Sequence, residues 1–292
     1  MGAVTGLAAC SFSSSGASSD AIPLADSTVI DVRPVDAQPD ARVDAPPPPP
    51  PQRRTIRELI LRYDFNELGV GNTIADVSGV GVPANMMVGP LPLNSVLPTT
   101  NGTSLTTTTA NVLVDALASD AGAKIAAACG SGALTIEIWM QQAPGQTAYG
   151  RVVSFGSNAD LGLRNVQIGT TRDDGIVDYL RSADSTTAGQ EIRIASAVDS
   201  SQQQLVVLRY SAGMLKADVY AGETHQSDSV AQTGNFSTWS NQYKLVLLNS
   251  NRYFINSDSR YWLGSIFSMS VYCAELSDTE IANDRLLGSE SL

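Results

Sequence analysis

The run Leu134-Thr-Ile-Glu-Ile-Trp-Met-Gln-Gln142 sets a carboxylate on an alternating apolar stretch, and a carboxylate so placed could do chemistry. Glycoside hydrolysis needs two carboxyl groups facing one cleft, one ionised and one protonated. Glu137 could be the first. Gln141 and Gln142 stand where a second acid would follow, and an amide cannot transfer the proton. The strand therefore reads as non-catalytic, and the chain is not expected to be an enzyme.

Other reactive residues are few. His225 is the only histidine, in Gly222-Glu-Thr-His-Gln-Ser-Asp228, which reads as a solvated turn after a strand. A Ser-His-Asp triad would need a serine elbow of the form Gly-x-Ser-x-Gly, and no serine sits in one. One histidine cannot furnish a histidine-rich zinc site, and Cys10, Cys129 and Cys273 are not at metal-binding spacing. The glycines from Gly79 to Gly89 lack the Lys-Ser/Thr ending of a phosphate loop. No cofactor is required. Calcium stays an open alternative, with Asp173-Asp174 and Asn256 with Asp258 as acidic turns of suitable oxygen chemistry but no ligand set assigned. Sugar binding would need aromatic faces beside amides, and Trp239, Asn241, Gln242 and Tyr243 supply that combination. The competing reading is that Trp239 plugs the end of a sandwich.

Alternation with period two marks the elements that must position these groups. Leu61, Tyr63 and Phe65 oppose Arg62 and Asp64; Leu134, Ile136, Ile138 and Met140 oppose Thr135, Glu137, Trp139 and Gln141. Both read as half-buried strands. Further strand-like runs cover 150–156, 205–211, 215–222, 243–249 and 264–276. One helix is expected near 119–132, with Ser119 as cap and Gly130 as stop. A second should follow Ser277, whose capping box Glu280 completes. Many short strands, few helices and plentiful glycine indicate an all-β, antiparallel β-sandwich.

Residues 11–58 differ from the rest. They are rich in Ser, Asp and Pro and include, near their end, the unbroken run Pro46 to Pro51. Such a segment has too little apolar side chain to offset the entropy of ordering, so it reads as a disordered tether before a domain at 59–292. Arg53, Arg54 and Arg57, where tether meets domain, read as a solvated edge. The chain carries 29 acidic and 18 basic residues, a formal charge of −11, which argues against nucleic acid as a partner. Residues 1–10 end in Leu7-Ala8-Ala9-Cys10, which resembles a bacterial lipobox, the signal that places a lipid on a cysteine. Only nine residues precede Cys10, without a basic or apolar leader, so either the start codon lies upstream or the match is accidental.

Four anchors in order carry a wider resemblance. They are "LRYDFNE…ADVSGVG", "LTIEIWM", "LVVLRYSAGMLKADVYAGE" and "YWLGSIFSMSVYCAELSDTEI". Together they resemble the concanavalin A-like, laminin G-like jelly roll of bacterial surface proteins over most of residues 60–288. Residues 151–189 also resemble the middle of a bacterial subgroup. The resemblance implies that Glu137 and Trp139 fill that family's non-catalytic positions and that Trp262 is structural. It further implies that the strands beginning near Leu134 and Ser265 are antiparallel neighbours. Cys129 and Cys273 would then lie close enough for a disulfide, with Cys10 left for lipid. The function expected is a lipid-anchored binding or adhesion module of the bacterial cell envelope, exposed outside the cytoplasm, for glycan or a surface protein. Alternatives are a divergent hydrolase on the same fold and a structural envelope lipoprotein.

Overall fold

The structure, a computed structural model, describes residues 54–66, 73–88, 99–100, 104–107, 114–115, 121–146, 149–157, 163–211, 213–249 and 260–289. All fall within the unit Pro50–Leu292. Cys10, most of the tether, Ser119, Asn256 and Asp258 lie outside the described residues.

Two antiparallel sheets face each other. Sheet A runs β14 (Thr224–Gln232), β13 (Gly213–Ala221), β12 (Gln204–Ser211), β7 (Leu134–Gln142) and β16 (Gly264–Tyr272). The far side of β16 is shared: β5 (Leu105–Thr107), followed by β4 (Thr99–Thr100), pairs with its first half, and β1 (Leu59–Asp64) with its second. Sheet B runs β11 (Gln190–Ile194), β10 (Ile176–Leu180), β9 (Arg164–Thr170), β8 (Gly150–Gly156) and β15 (Lys244–Leu247), then β6 (Val114–Asp115), β3 (Met86–Val88) and β2 (Thr73–Ile74). The β-sandwich expected from the alternation is the fold observed.

Strand alternation builds the core. Ile136, Ile138 and Met140 point inward from β7, and Val166 and Ile168 point inward from β9. Trp262 closes one end. Its indole lies against the backbone of Gly150 and Gly264, where an added Cβ would stand 2.8 Å and 2.5 Å from the ring. Gly264 also has φ +151°, a conformation that side chains rarely adopt, so the Trp-x-Gly spelling is a packing requirement.

Helix α1 (Ala121–Ala128) ends two residues before the Gly130 expected to stop it. Lys124 on α1 pairs with Asp76 at 2.8 Å. Asp76 also accepts the backbone N–H groups of Arg62, Ser78 and Ala84, which fixes the turn after β1. Cys129 directly follows α1 and Cys273 directly follows β16. Because Tyr272 pairs with Thr135 across β16 and β7, the two cysteines meet at a Cα separation of 4.7 Å and form a disulfide.

Helix α2 (Asp278–Leu287) carries the expected box: Ser277 Oγ accepts the Glu280 N–H, and the Glu280 carboxylate accepts the Ser277 N–H. It packs on the outer face of sheet A through Ile281, with Leu276 just before the helix, against Leu59, Leu205, Val207 and Tyr272. This cover corrects two expectations. The strands β1 and β7 are buried on both faces, not one, with Arg62 and Thr135 each 0% exposed. Arg54 and Thr55 are packed as well, while Ile56, Arg57 and Glu58 are exposed. Arg54 is buried and donates to the Gly288 carbonyl, and the Thr55 N–H donates to Asp284. Arg57 keeps the solvated character expected of that edge and pairs with Glu280 at 3.0 Å, and Arg53 lies outside the described residues.

His225 is not in a loop. It opens β14, an edge strand paired on one side only, with its Nε2 2.9 Å from Asp218 and its ring stacked on Tyr220 at 4.2 Å. The polar spelling of β14 hid the strand, because an edge exposed on both faces has no apolar alternation to show.

Candidate functional site

Trp239 is not available to a sugar. Its ring is 8% exposed, stacked on Phe236 at 4.1 Å and met edge-on by Phe155 at 5.5 Å. Its Nε1–H donates to the Arg181 carbonyl at 2.6 Å. The plug reading prevails, since an apolar ring with one satisfied donor gains most from burial. Asn241 and Gln242 are exposed and bonded to each other, and Tyr243 is half-buried against the core. Without its aromatic anchor, the proposed sugar platform does not form.

Glu137 lies under α2. It is 2% exposed, accepts the Tyr272 hydroxyl at 3.3 Å and has Arg54, Arg62 and Asp284 as charged neighbours. Burial pushes its pKa up to about 8. A second carboxyl is therefore present after all, Asp284 from α2, which spacing along the strand could not reveal. Neither carboxyl can reach a substrate, because Asp284 is fully buried too. Asp173 is held by Thr171 Oγ1 at 2.6 Å and by Arg193 at 2.6 Å, so its oxygens already carry donors. Among the described residues no group of three or more His, Cys, Asp or Glu side chains gathers as metal ligands would.

The outer face of sheet B carries a polar groove of about 740 Å³. Strand register assembles it in two rows. Tyr179 pairs with Gln167 on one side and Glu191 on the other. In the next row, Arg151 on β8 faces Gly169, then Val177, then Arg193. Ile168, Leu180 and Ile192 point inward, so their sequence neighbours must point out. Arg164, Arg172 and Arg260 complete the lining from β9 and two loops. Gly169 leaves the middle of the second row without a side chain.

The groove is cationic in an acidic chain. Five arginines line it, with Glu191 the one carboxylate among the lining residues. Asp173 outside it neutralises Arg193. The Arg164 guanidinium sits 4.1 Å over the Tyr179 ring and donates to Gln167 at 2.9 Å. Burial lowers its pKa, and the like charge of Arg260 acts in the same direction. Tyr179 donates to Glu191 at 2.6 Å, and burial with that bond pushes its pKa up to about 12. Arg172 lies 5.6 Å over the Tyr149 ring. Guanidinium forks take a carboxylate, sulfate or phosphate in two parallel hydrogen bonds, while tyrosine rings accept C–H faces. Glu191 being the one carboxylate of the lining, the groove holds no pair of carboxyl groups. Sequence reading missed this site because its arginines span positions 151 to 260 with no motif. The available signal was the outward charge of Glu191 and Arg193 in the alternating run at 190–194.

No protein-family model and no curated protein sequence matches the chain. Solved structures resemble it in fold. The binding domain of botulinum neurotoxin serotype D/C, strain VPI 5993, matches with a TM-score of 0.50 at 15% identity, covering 80% of this chain and 52% of that one. The CBM40 module of the Ruminococcus gnavus IT-sialidase, solved with α2,3-sialyllactose, gives 0.49 at 18% identity, covering 64% of this chain and 97% of that one. The leech intramolecular trans-sialidase gives 0.48 at 16%, covering 65% and 28%. At such identities the toxin domain's likeness establishes the β-sandwich class and nothing finer.

Proposed function

We propose that the chain is a non-enzymatic binding module, lipid-anchored at the bacterial cell surface, that takes acidic glycans in the sheet B groove. The observation that carries this reading is the concentration of five arginines around Tyr149 and Tyr179 on a chain of formal charge −11. A glycan bearing a carboxylate or sulfate would place its anion on the guanidinium forks and its ring on the tyrosines. The non-catalytic character is supported by the burial of Glu137 and by the single carboxylate of the groove. The anchor rests on Leu7-Ala8-Ala9-Cys10, and the three acyl chains of a bacterial lipoprotein would hold far more firmly than one.

An array of sialylated, uronic-acid, sulfated and neutral oligosaccharides tests the ligand class. Binding should favour the acidic set, weaken as salt rises, and fall at least about tenfold in Arg164→Ala. It should not change with a calcium chelator. Neutral sugars that bind equally and lose binding equally in Arg164→Ala, or turnover of any, would overturn the reading. Metabolic labelling with an alkyne fatty acid, in cells expressing the chain with an upstream leader, tests the anchor. Label that persists in Cys10→Ser would refute it.

A further inference from the structure

The sheet B groove presents its charge at two stations. At the first, Arg164 lies over the Tyr179 ring, and its Nη1 donates to the neutral amide of Gln167. At the second, Arg172 lies over the Tyr149 ring, which is 48% exposed. Among the described residues neither guanidinium is paired with a carboxylate, whereas Arg193 is neutralised by Asp173 at 2.6 Å. Strand register sets the distance between the stations. Tyr179 on β10 stands opposite Gln167, and Tyr149 immediately precedes Gly150, which stands opposite Thr170. Strands lie about 4.8 Å apart and rise about 3.3 Å per residue, so two strands across and four residues along put the tyrosines roughly 16 Å apart. Gly169 and Val177, adjacent on the outer face between them, carry no charge.

We propose that the groove takes the interior of a linear glycan with repeated anions, Arg164 and Arg172 each holding one, and not a single acidic sugar at a chain end. The inference rests on the acidic-glycan reading of this groove and adds to it the repeat, the length and the role of Arg172. A terminal sugar with one carboxylate fills one station and leaves the other guanidinium without an anion. A chain with anions several rings apart fills both. The second contact is then intramolecular, which raises affinity by about 100-fold or more. A guanidinium stacked flat on a ring still presents its N–H edge to a carboxylate or sulfate. The same spacing favours a glycan over a nucleic acid. Phosphates recur about every 3.4 Å along one nucleic-acid strand. Several would fall over Gly169 and Val177 and beside Glu191, whose carboxylate accepts the Tyr179 hydroxyl.

Titration calorimetry of the full chain tests this, with oligogalacturonates and sulfated galactan oligosaccharides of two, four and eight sugars. Sialyllactose serves as the single-anion ligand and a single-stranded octanucleotide as the polyanion without a glycan. In at least one series the octamer should bind about 100-fold more tightly than the dimer. Arg172 is exposed and lies between strands, so Arg172→Ala leaves folding alone. That variant should bring the octamer to within about fivefold of the dimer. If sialyllactose or the dimer binds as tightly as the octamer, or if the gain with length survives Arg172→Ala, the inference fails while acidic-glycan binding stands. If no acidic saccharide of any length binds, both fall. An octanucleotide that binds as tightly as the octasaccharide would overturn the inference too, by showing a surface for polyanions at large.

Discussion

The outer faces of the two sheets begin from similar material and end as opposites. Both carry arginine, glutamate and tyrosine at outward positions of alternating strands. On sheet A, α2 and residues 54–58 lie across the face, so Glu137, Arg62 and Asp284 are shut away from water. On sheet B no described helix covers β8 to β11, and the same kinds of residue line an open groove. Polar spelling on a strand therefore does not define a site. What packs over the strand decides whether its charges hold the fold together or stay available to a ligand.

The comparison can be strained from both ends. The largest effect should come from reducing Cys129–Cys273, which ties the end of α1 to the covered sheet. The bond spans 144 positions, and freeing a loop of that length costs about 5 kcal/mol in the chain-entropy treatment. Thermal melts of Cys129→Ala with Cys273→Ala should drop by roughly 10–20 °C. An unreduced tryptic digest should show the linked peptides by mass spectrometry. Next, Arg209 on β12 bridges Asp218 and Asp278 at 2.6 Å while 6% exposed. Arg209→Met should cost about 3–5 kcal/mol in urea denaturation, because Asp218 is left buried without its guanidinium. Arg193→Ala, which breaks the exposed pair with Asp173 on the open face, should leave the urea midpoint unchanged. Comparable losses from the two would erase the distinction between the faces.

A smaller effect depends on pH. Burial raises the Glu137 pKa from 4.5 to about 8, and burial also raises that of Asp284. A carboxyl with a raised folded pKa binds more protons folded than unfolded, so stability falls as pH rises from about 4.5 to about 8. Glu137→Gln should flatten that slope and gain more than about 1.4 kcal/mol over the native chain at pH 9, the equivalent of one pKa unit. Loss of stability in the variant at pH 9 would show instead that Arg54 and Arg62 keep Glu137 ionised. Ser277→Ala should cost about 1 kcal/mol from the lost N-cap on α2, read as a shift in melting temperature.

Several features were legible because their causes are local. The Ser277–Glu280 box closes within one helical turn. The runs from Leu61 to Phe65 and Leu134 to Gln141 alternate because successive side chains of a strand point to opposite faces. The Cys129–Cys273 pairing followed from strand adjacency implied by resemblance, a step that residue spacing alone could not supply. Trp239 was misplaced among candidate ligand residues because the polar residues around it say nothing of Phe155 and Phe236, which meet it from elsewhere in the chain. Glu137 seemed to lack a partner because Asp284 is distant in sequence and arrives on α2.

Amino-acid order by itself thus determined the sandwich, its main strands and the cap of its last helix, since period-two alternation and turn chemistry act between near neighbours. Only the tertiary structure decided which polar face is dry and which is wet. The arginine groove exists because Arg151, Arg164, Arg172, Arg193 and Arg260 are brought together by the register of β8 to β11 and the loops beside them. Register and cover are long-range choices, made by burying apolar side chains between sheets, and the charges on the outer faces follow wherever that burial puts them.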